Sequence, residues 1–555
     1  MNREIDAQDP GPETDGTIPK SRLSFSLRTI FILFCLLSVV FWYVDNQLNQ
    51  SRPAPNFWDE ASGKNIKWAA KLGSQTYSRP VVSDKYVFIG SNNGAGYDPK
   101  FPAAIDLGVI LCFDKETGRF VWQYSSPKLE SGRAQDWPLQ GISSTAFVDG
   151  DRLWSVTNRG EVICLDTEGF LDKENDGPFN SESSSLRIDA DVVWKFDMIK
   201  QLGVYPHNIS HCNVEVDQER VYVKTSNGVD ASHRELPSPD APSFVVLDKI
   251  SGELIWQDNA PGNSIMHGSW GSPKLATLDS RKQILFPGGD GWLYSYKPEG
   301  DGQGNSVLYW KFDCNPKTST YRAGRSEGRN NLLTAPTIHE SRIFIAMGQD
   351  PEHGEGPSRV WCIEPGLKTG DLSPTLVNRG NKTEQPSIDN LFRHCIVENG
   401  DKEIPNPNSA KVWEFNGYQN GKTFEPFNRS LGRPVVANGC VFIKDLTGFL
   451  YCVDANTGAI NWRHDTLSAS WTSVMVVGNL LFHSSEDGFV DIIRADADVK
   501  VASPDQPLAH IDALSYTAYY SNMTFENGVL YLANTNRLIA VEDPETGNQI
   551  QTLLK

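Results

Sequence analysis

"LYCVDANTGAINW", Leu450 to Trp462, reads as a short strand, a turn built on Asp454, Thr457 and Gly458, and a second strand carrying a tryptophan. Nearly the same phrase stands at Ile110 to Trp122, "ILCFDKETGRFVW", and at Phe244 to Trp256, "FVVLDKISGELIW". In such a turn the aspartate accepts from backbone N–H groups two residues on, and the glycine supplies the positive φ that returns the chain. The tryptophan then lies on an outer strand, placed to bury its ring against a neighbouring unit. A lone D-x-x-T-G is a weak signal. In phase with a longer repeat it decides the fold.

That repeat is easiest to count by its hairpins, an inner strand, a tight polar turn and a second strand. They start at Arg79, Ser144, Asn213, Ser272, Ala335, Arg433, Ser473 and Asn522, as in "RPVVSDKYVFIG", "NVEVDQERVYV" and "NMTFENGVLYL". A third strand follows each, then a fourth that usually carries tryptophan: Trp122, Trp194, Trp256, Trp310, Trp413 and Trp462. Four-stranded units repeated in this way cannot each form a core alone. Arranged radially they make an all-β, eight-bladed β-propeller of antiparallel blades. The last blade lacks a strand, and "NIKWAAKL", Asn65 to Leu72, is the favoured supplier over "NQIQTLL", Asn548 to Leu554.

Bulk properties agree with that reading and narrow the partners. The chain has 555 residues and a formal net charge of −18, without a basic stripe dense enough to hold a phosphate backbone, so nucleic acid is excluded. Residues 1–28 are polar and read as a disordered cytoplasmic tail. Residues 29–44, "TIFILFCLLSVVFWYV", carry no charge and follow Lys20, Arg22 and Arg28. As a helix they span roughly 24 Å, short of a hydrocarbon core of about 30 Å, with Arg28 free to snorkel and Leu23, Phe25 and Leu27 extending the apolar surface. No small-x-small cleavage site follows, so the segment reads as an uncleaved signal anchor, a single-pass helix in the inner membrane. Residues 45–64 are a linker, and residues 65–555 form the propeller on the periplasmic side.

Of the nine cysteines, Cys112, Cys164, Cys362 and Cys452 occupy one slot of the repeat, in CFD, CLD, CIE and CVD. A shared slot points to a small apolar residue packed in each blade rather than to disulfides.

The D-x-x-T-G-x-x-x-W phrases resemble the pyrroloquinoline-quinone (PQQ) repeat family, over most of Trp68 to Thr552. That superfamily includes calcium-dependent quinoprotein alcohol dehydrogenases and non-enzymatic propellers of the BamB type. The phrases "CLDTEGFLDKENDGPF", "PSFVVLDKISGELIWQDN", "FPGGDGWLYSY" and "GQDPEHGEG" are similar to bacterial membrane-anchored PQQ-binding-like propellers. For a dehydrogenase the resemblance implies a vicinal disulfide above the quinone, a tryptophan floor, calcium and an aspartate base. Adjacent cysteines are absent here. Trp270 and Trp471 are placed to stack on a flat cofactor, with Arg325, Arg329 or Arg433 to meet its carboxylates; the competing reading has the rings filling the channel between blades.

In a four-stranded blade the connections between strands two and three, and those between blades, emerge on one face. The chain spends its insertions there, from Ser91, Ser226 and Gly348, beside blade-to-blade loops from Tyr205, Pro261 and Thr320. His207, His211, His233, His267, Arg325, Arg329, Glu352, His353 and Glu355 are therefore candidates to converge as a ligand-binding face. His207 and His211 are four residues apart, a spacing that suits one metal only on a helix, and this segment reads as a loop. Hydrogen-bonded loop histidines are expected, with a transition-metal site as the alternative. On the opposite face Asp166, Asp172, Asn175 and Asp176 are hard oxygen donors suited to a structural calcium, although Asp166 is also the repeat's turn residue. The insert from Gly366 to Lys411 is expected on that face without fixed structure.

No G-x-S-x-G, H-E-x-x-H or Walker loop is present. The reading is a non-catalytic binding or assembly module whose partner is a cell-envelope protein or another envelope ligand. A PQQ-dependent dehydrogenase and a carbohydrate-binding propeller are the alternatives.

Overall fold

The computed structural model describes residues 53–322, 328–378, 392–395 and 401–543. The tail and the expected signal anchor, residues 29–44, lie outside them, as does Asn548 to Leu554. Among the described residues no helix is long and apolar enough to cross a membrane.

Among the described residues eight sheets form the blades, each built on four antiparallel strands that follow one another in sequence except in blade eight, and blade four gains a fifth strand from the insert. Blade six contains the opening phrase: its strands are Val435–Ala437, Cys440–Lys444, Phe449–Asp454 and Ile460–Asp465, from the inside out. Blade eight closes the ring as expected. Its own strands, Thr524–Glu526, Val529–Ala533 and Arg537–Glu542, take Ile66–Lys71 as the outer one, with Ala69 opposite Ile539.

Eight apolar clusters hold the ring, one at each blade junction. The tryptophans connect them. Trp122 Nε1 donates to Thr167 O of blade two at 3.0 Å, Trp413 Nε1 to Ala455 O of blade six at 3.0 Å, and Trp462 Nε1 to Asp496 O of blade seven at 2.9 Å. Trp68, on the closing strand, reaches Lys115 O of blade one at 2.8 Å in the same way. Each ring thus caps the turn of the next blade. The turn glycine is needed for a second reason beyond its φ: a Cβ on Gly458 would sit 2.7 Å from the Trp413 ring, and one on Gly118 2.5 Å from Trp68. The glycine and the tryptophan that recur in the sequence are partners across a junction.

The cysteine slot has an equally local cause. Cys112, Cys164, Cys362 and Cys452 lie directly across the strand from Trp122, Trp194, Trp413 and Trp462. Other blades put Val246, Ser295 and Ala540 opposite their tryptophans. A small side chain leaves room for the indole, and these cysteines are buried and free.

The insert from Gly366 differs from expectation. Gly370–Asp371 adds in parallel to the outer strand of blade four, and Thr375–Asn378 pairs with Lys402–Pro405. Asn406 fastens the base, its Nδ2 donating to Asp371 O at 2.9 Å and to Ser373 O at 2.8 Å. Strand Phe392–Cys395 pairs with Thr320–Arg322, which belongs to the connection between blades four and five on the other face. Backbone groups that find a sheet edge to pair with give a polar insert a fixed path.

Candidate functional site

The loops of blades two to five are stitched together by isolated backbone bridges: Pro206 with Asn227, Gly228 with Gly268, and Asn331 with Gly348. Two glycines permit the closest approach. A Cβ on Gly228 would lie 2.5 Å from His267 O and 2.7 Å from His207 Cβ, and one on Gly268 would lie 2.5 Å from the Trp270 ring. This packing brings four histidines from four loops together.

His207 comes from the connection between blades two and three, His233 from the second-to-third-strand loop of blade three, and His267 from the connection to blade four. His353 ends the short turn Pro351–His353 in blade five, which Asp350 caps by accepting from Glu352 N at 2.9 Å. His207, His267 and His353 are buried, and His233 is partly exposed, held in the left-handed region at φ 60°.

One chain of bonds links three of the rings. His207 Nδ1 lies 2.7 Å from Val229 O and must donate to it, which leaves Nε2 as an acceptor. His267 Nε2 donates to that nitrogen at 2.7 Å, and His353 Nε2 donates to His267 Nδ1 at 3.0 Å. Burial lowers the His207 pKa to about 4, against the smaller opposing effect of its bond to Val229, so the ring is neutral at pH 7. The His233 ring packs 4.8 Å from both His207 and His267, and its Nδ1 is 3.6 Å from Glu352 Oε2. Trp270 walls the site with ring centroids 6.0 Å from His207 and 5.4 Å from His267, its Nε1 donating to Ile209 O. Burial also raises Asp350 to about 6.

The other residues singled out from the sequence lie elsewhere. His211 turns away from the cluster, its Nδ1 3.1 Å from Ser143 Oγ, as a hydrogen-bonded loop histidine. Glu355 is exposed on the His353 loop. Arg329 is fully buried and committed to the protein: Nη2 meets Asp313 Oδ1 at 2.8 Å and Nε donates to Asp290 O at 3.2 Å, with Lys317 on the other Asp313 oxygen at 3.0 Å. It therefore corrects the expectation of a quinone-carboxylate ligand, because its charge is already neutralised in the fold. Arg325 lies outside the described residues. Arg433 is exposed at the start of blade six's inner strand, near enough to Arg79 for its charge to act on that guanidinium.

Trp471 and Trp270 belong to different clusters. Trp471 packs with Tyr520 at 5.1 Å and Tyr77 at 6.3 Å, and Glu486 accepts from both Trp471 Nε1 at 3.3 Å and Tyr520 Oη at 2.8 Å. The two indoles therefore do not make one floor for a flat cofactor.

The four oxygen donors on the opposite face are likewise not gathered on one point. Arg152 inserts its guanidinium between two of them, Nη1 bonding Asp166 and Nη2 meeting Asp176 Oδ2 at 2.6 Å. Asp172 accepts from Glu174 N at 3.0 Å, and Asn175 donates to Glu182 at 3.4 Å. An arginine holds the position that the calcium reading would give to the ion.

One residue gave no signal in the sequence. Arg429, from the connection between blades five and six, is buried and donates through Nη1 to His353 O at 2.9 Å and Gly354 O at 3.0 Å, and through Nε to Asn330 Oδ1 at 2.8 Å. It clamps the loop that delivers His353, and nothing local to "FNRSLG" announces that role.

These features define an eight-bladed, antiparallel propeller with a histidine cluster on its loop face. The family model described as outer membrane protein assembly factor BamB matches residues 106–308 and 404–551, more than half of the chain, and the protein belongs to this family of PQQ-repeat propellers. Among solved structures, BamB from Moraxella catarrhalis is similar at 12% identity, covering 86% of this chain and 97% of that one with a TM-score of 0.48. The computationally designed Ika8 protein is similar at 9% identity, covering 86% of this chain and 99% of that one with a TM-score of 0.47. No curated protein matches the sequence.

Proposed function

We propose that this protein is a membrane-tethered propeller of the cell envelope that binds other envelope proteins as an assembly module, without catalysis of its own. Membership of the BamB family carries the reading. The anchor in residues 29–44 would hold the propeller on the periplasmic side of the inner membrane, and the loop face would meet the partner.

That face offers a surface suited to the task. Leu467, 85% exposed, and Tyr516, 71% exposed, stand on the two connections that flank blade seven, which also carry the half-buried Trp471 and Tyr520. Large apolar and aromatic groups left in water on rigid loops favour protein docking. A quinone has less to hold it, since Arg329 is spent on Asp313 and the two indoles are apart.

The test places a photo-crosslinking amino acid at Leu467, Tyr516 or Ile250 in cells; Ile250 is 80% exposed but on the opposite face. Adducts to a discrete envelope protein from the first two positions and none from Ile250 would support docking through the loop face. Equal labelling from all three, or none, would defeat it. Saturable binding of PQQ by the purified full chain, with or without calcium, would revive the dehydrogenase reading, and binding of envelope glycans in place of a protein would favour the carbohydrate reading.

A further inference from the structure

The geometry points to a binding site for one divalent transition-metal ion of the zinc type, held by the imidazoles of His207, His233 and His267. The candidate donor atoms of these rings all lie within 4.8 Å of one another, and among the described residues no other group of three histidine, cysteine or acidic side chains does so. This inference does not depend on the assembly reading.

Proximity alone would be a weak argument, and the outer contacts supply the stronger one. A metal-bound imidazole is oriented by a partner on its second nitrogen, commonly a backbone carbonyl or a carboxylate. Here two of the rings are hydrogen-bonded at Nδ1, one to a backbone carbonyl and one to another imidazole, and the third has a carboxylate near its Nδ1. His207 Nδ1 is on Val229 O at 2.7 Å, His267 Nδ1 on His353 Nε2 at 3.0 Å, and His233 Nδ1 is 3.6 Å from Glu352 Oε2. That leaves Nε2 of each ring for the ion. The His207 and His267 Nε2 atoms face one another at 2.7 Å. Two nitrogens at ordinary zinc distances in a tetrahedron are about 3.3 Å apart, so the rings need to separate by only about 0.6 Å.

The protons balance without any net release. In the metal-free site His267 carries its proton on Nε2 and His353 on Nε2. As the ion takes His267 Nε2, that ring's proton is replaced by one on Nδ1, passed from His353 Nε2, and His353 is reprotonated at Nδ1 by the proton displaced from His267. All three ligands stay neutral, as metal binding requires. Imidazole donors suit zinc, cobalt, nickel and copper, not calcium or magnesium. Three protein ligands leave a fourth position for water or another donor.

The test uses the full-length, tag-free chain in mild detergent, stripped with a chelator and titrated with Zn²⁺ by calorimetry and with Co²⁺ by visible absorption. The expected result is one equivalent bound, with the intense spectrum of tetrahedral Co²⁺ and X-ray absorption showing three imidazole nitrogens. His233→Ala, at the partly exposed ligand, should weaken affinity by 100-fold or more without loss of fold by circular dichroism. Glu352→Gln should weaken it by about 10-fold. His211→Asn, outside the cluster, should leave it unchanged. Absence of a stoichiometric site, or a site that His233→Ala leaves intact, would overturn the inference. If His267→Gln fails to fold, His233→Ala still decides.

Discussion

On the face that carries the third-to-fourth-strand turns, Asp114, Asp248 and Asp454 do the same work three times over. Each accepts from the backbone N–H three residues on, Thr117 at 2.8 Å, Ser251 at 2.7 Å and Thr457 at 2.8 Å. On the other face, His207, His233, His267 and His353 arrive from four loops of different length and conformation. The first face is built by contacts inside a turn and across one junction, so a repeated phrase produces a repeated structure. The second is built by single-use contacts between loops, of which the Gly228–Gly268 bridge and the Arg429 clamp are examples. Regularity supplies the ring, and irregularity supplies the site.

The contrast can be broken most severely at Arg329. Arg329→Met leaves Asp313 with Lys317 as its remaining cation and should lower unfolding stability by about 3–5 kcal/mol, measured by urea denaturation. A loss under 1 kcal/mol would mean that the loop face does not rest on this buried network.

The turn face is tested by two glycines with the same dihedral. Gly458 and Gly439 both have φ +74°, but only Gly458 has the Trp413 ring against it, and nothing lies within 4 Å of the Gly439 position. Gly439→Ala should lose about 1 kcal/mol for its left-handed backbone. Gly458→Ala should lose about 2–3 kcal/mol, since the ring must also shift. Equal losses would show that the tryptophan contact contributes nothing.

A pH experiment sharpens the comparison at the loop-facing end of blade six. Lys444 is buried, with Nζ donating to Ser484 O at 2.8 Å and Thr472 Oγ1 at 3.1 Å, and burial lowers its pKa to about 7. Between about 7 and the unfolded value of about 10.4 the unfolded chain holds a proton that the folded chain does not. Lys444 therefore makes stability rise with pH across that window, while below about pH 7 the full penalty of the buried charge remains. Relative to Lys444→Met, the parent should gain up to about 1.4 kcal/mol per pH unit from pH 7 to 9. A flat difference would place the lysine charged in the fold at every pH.

An effect as small as that of Gly439→Ala is expected at one repeated turn, read by the same urea denaturation. Asp454→Ala should lose about 1 kcal/mol, because the turn is exposed and its glycine remains.

Much of the architecture is legible in the sequence: the hairpins, the outer tryptophans, closure by Asn65 to Leu72, and the small residue in the cysteine slot. The site was legible only in part. Placing the loops on one face singled out His207, His233, His267, His353 and Glu352, which the fold brings together, and equally His211 and Arg329, whose side chains turn to Ser143 and Asp313. Spacing also misdirected attention to the pair His207 and His211, when the true neighbour of His207 is His267, sixty residues away. On the opposite face Asp166 and Asp176 both bond Arg152, a partner that their spacing did not suggest.

The sequence by itself determined the blade, because strand alternation, the aspartate and glycine of the turn, and the facing tryptophan act over a dozen residues and need only a neighbouring copy of themselves. Tertiary structure alone decided which histidines meet, that Arg329 and Arg152 are committed to carboxylates, and that Arg429 holds the His353 loop. The histidine and Arg429 outcomes depend on distances between loops from different blades, and the Arg152 outcome on the cross-strand pairing inside blade two, none of which a local phrase states.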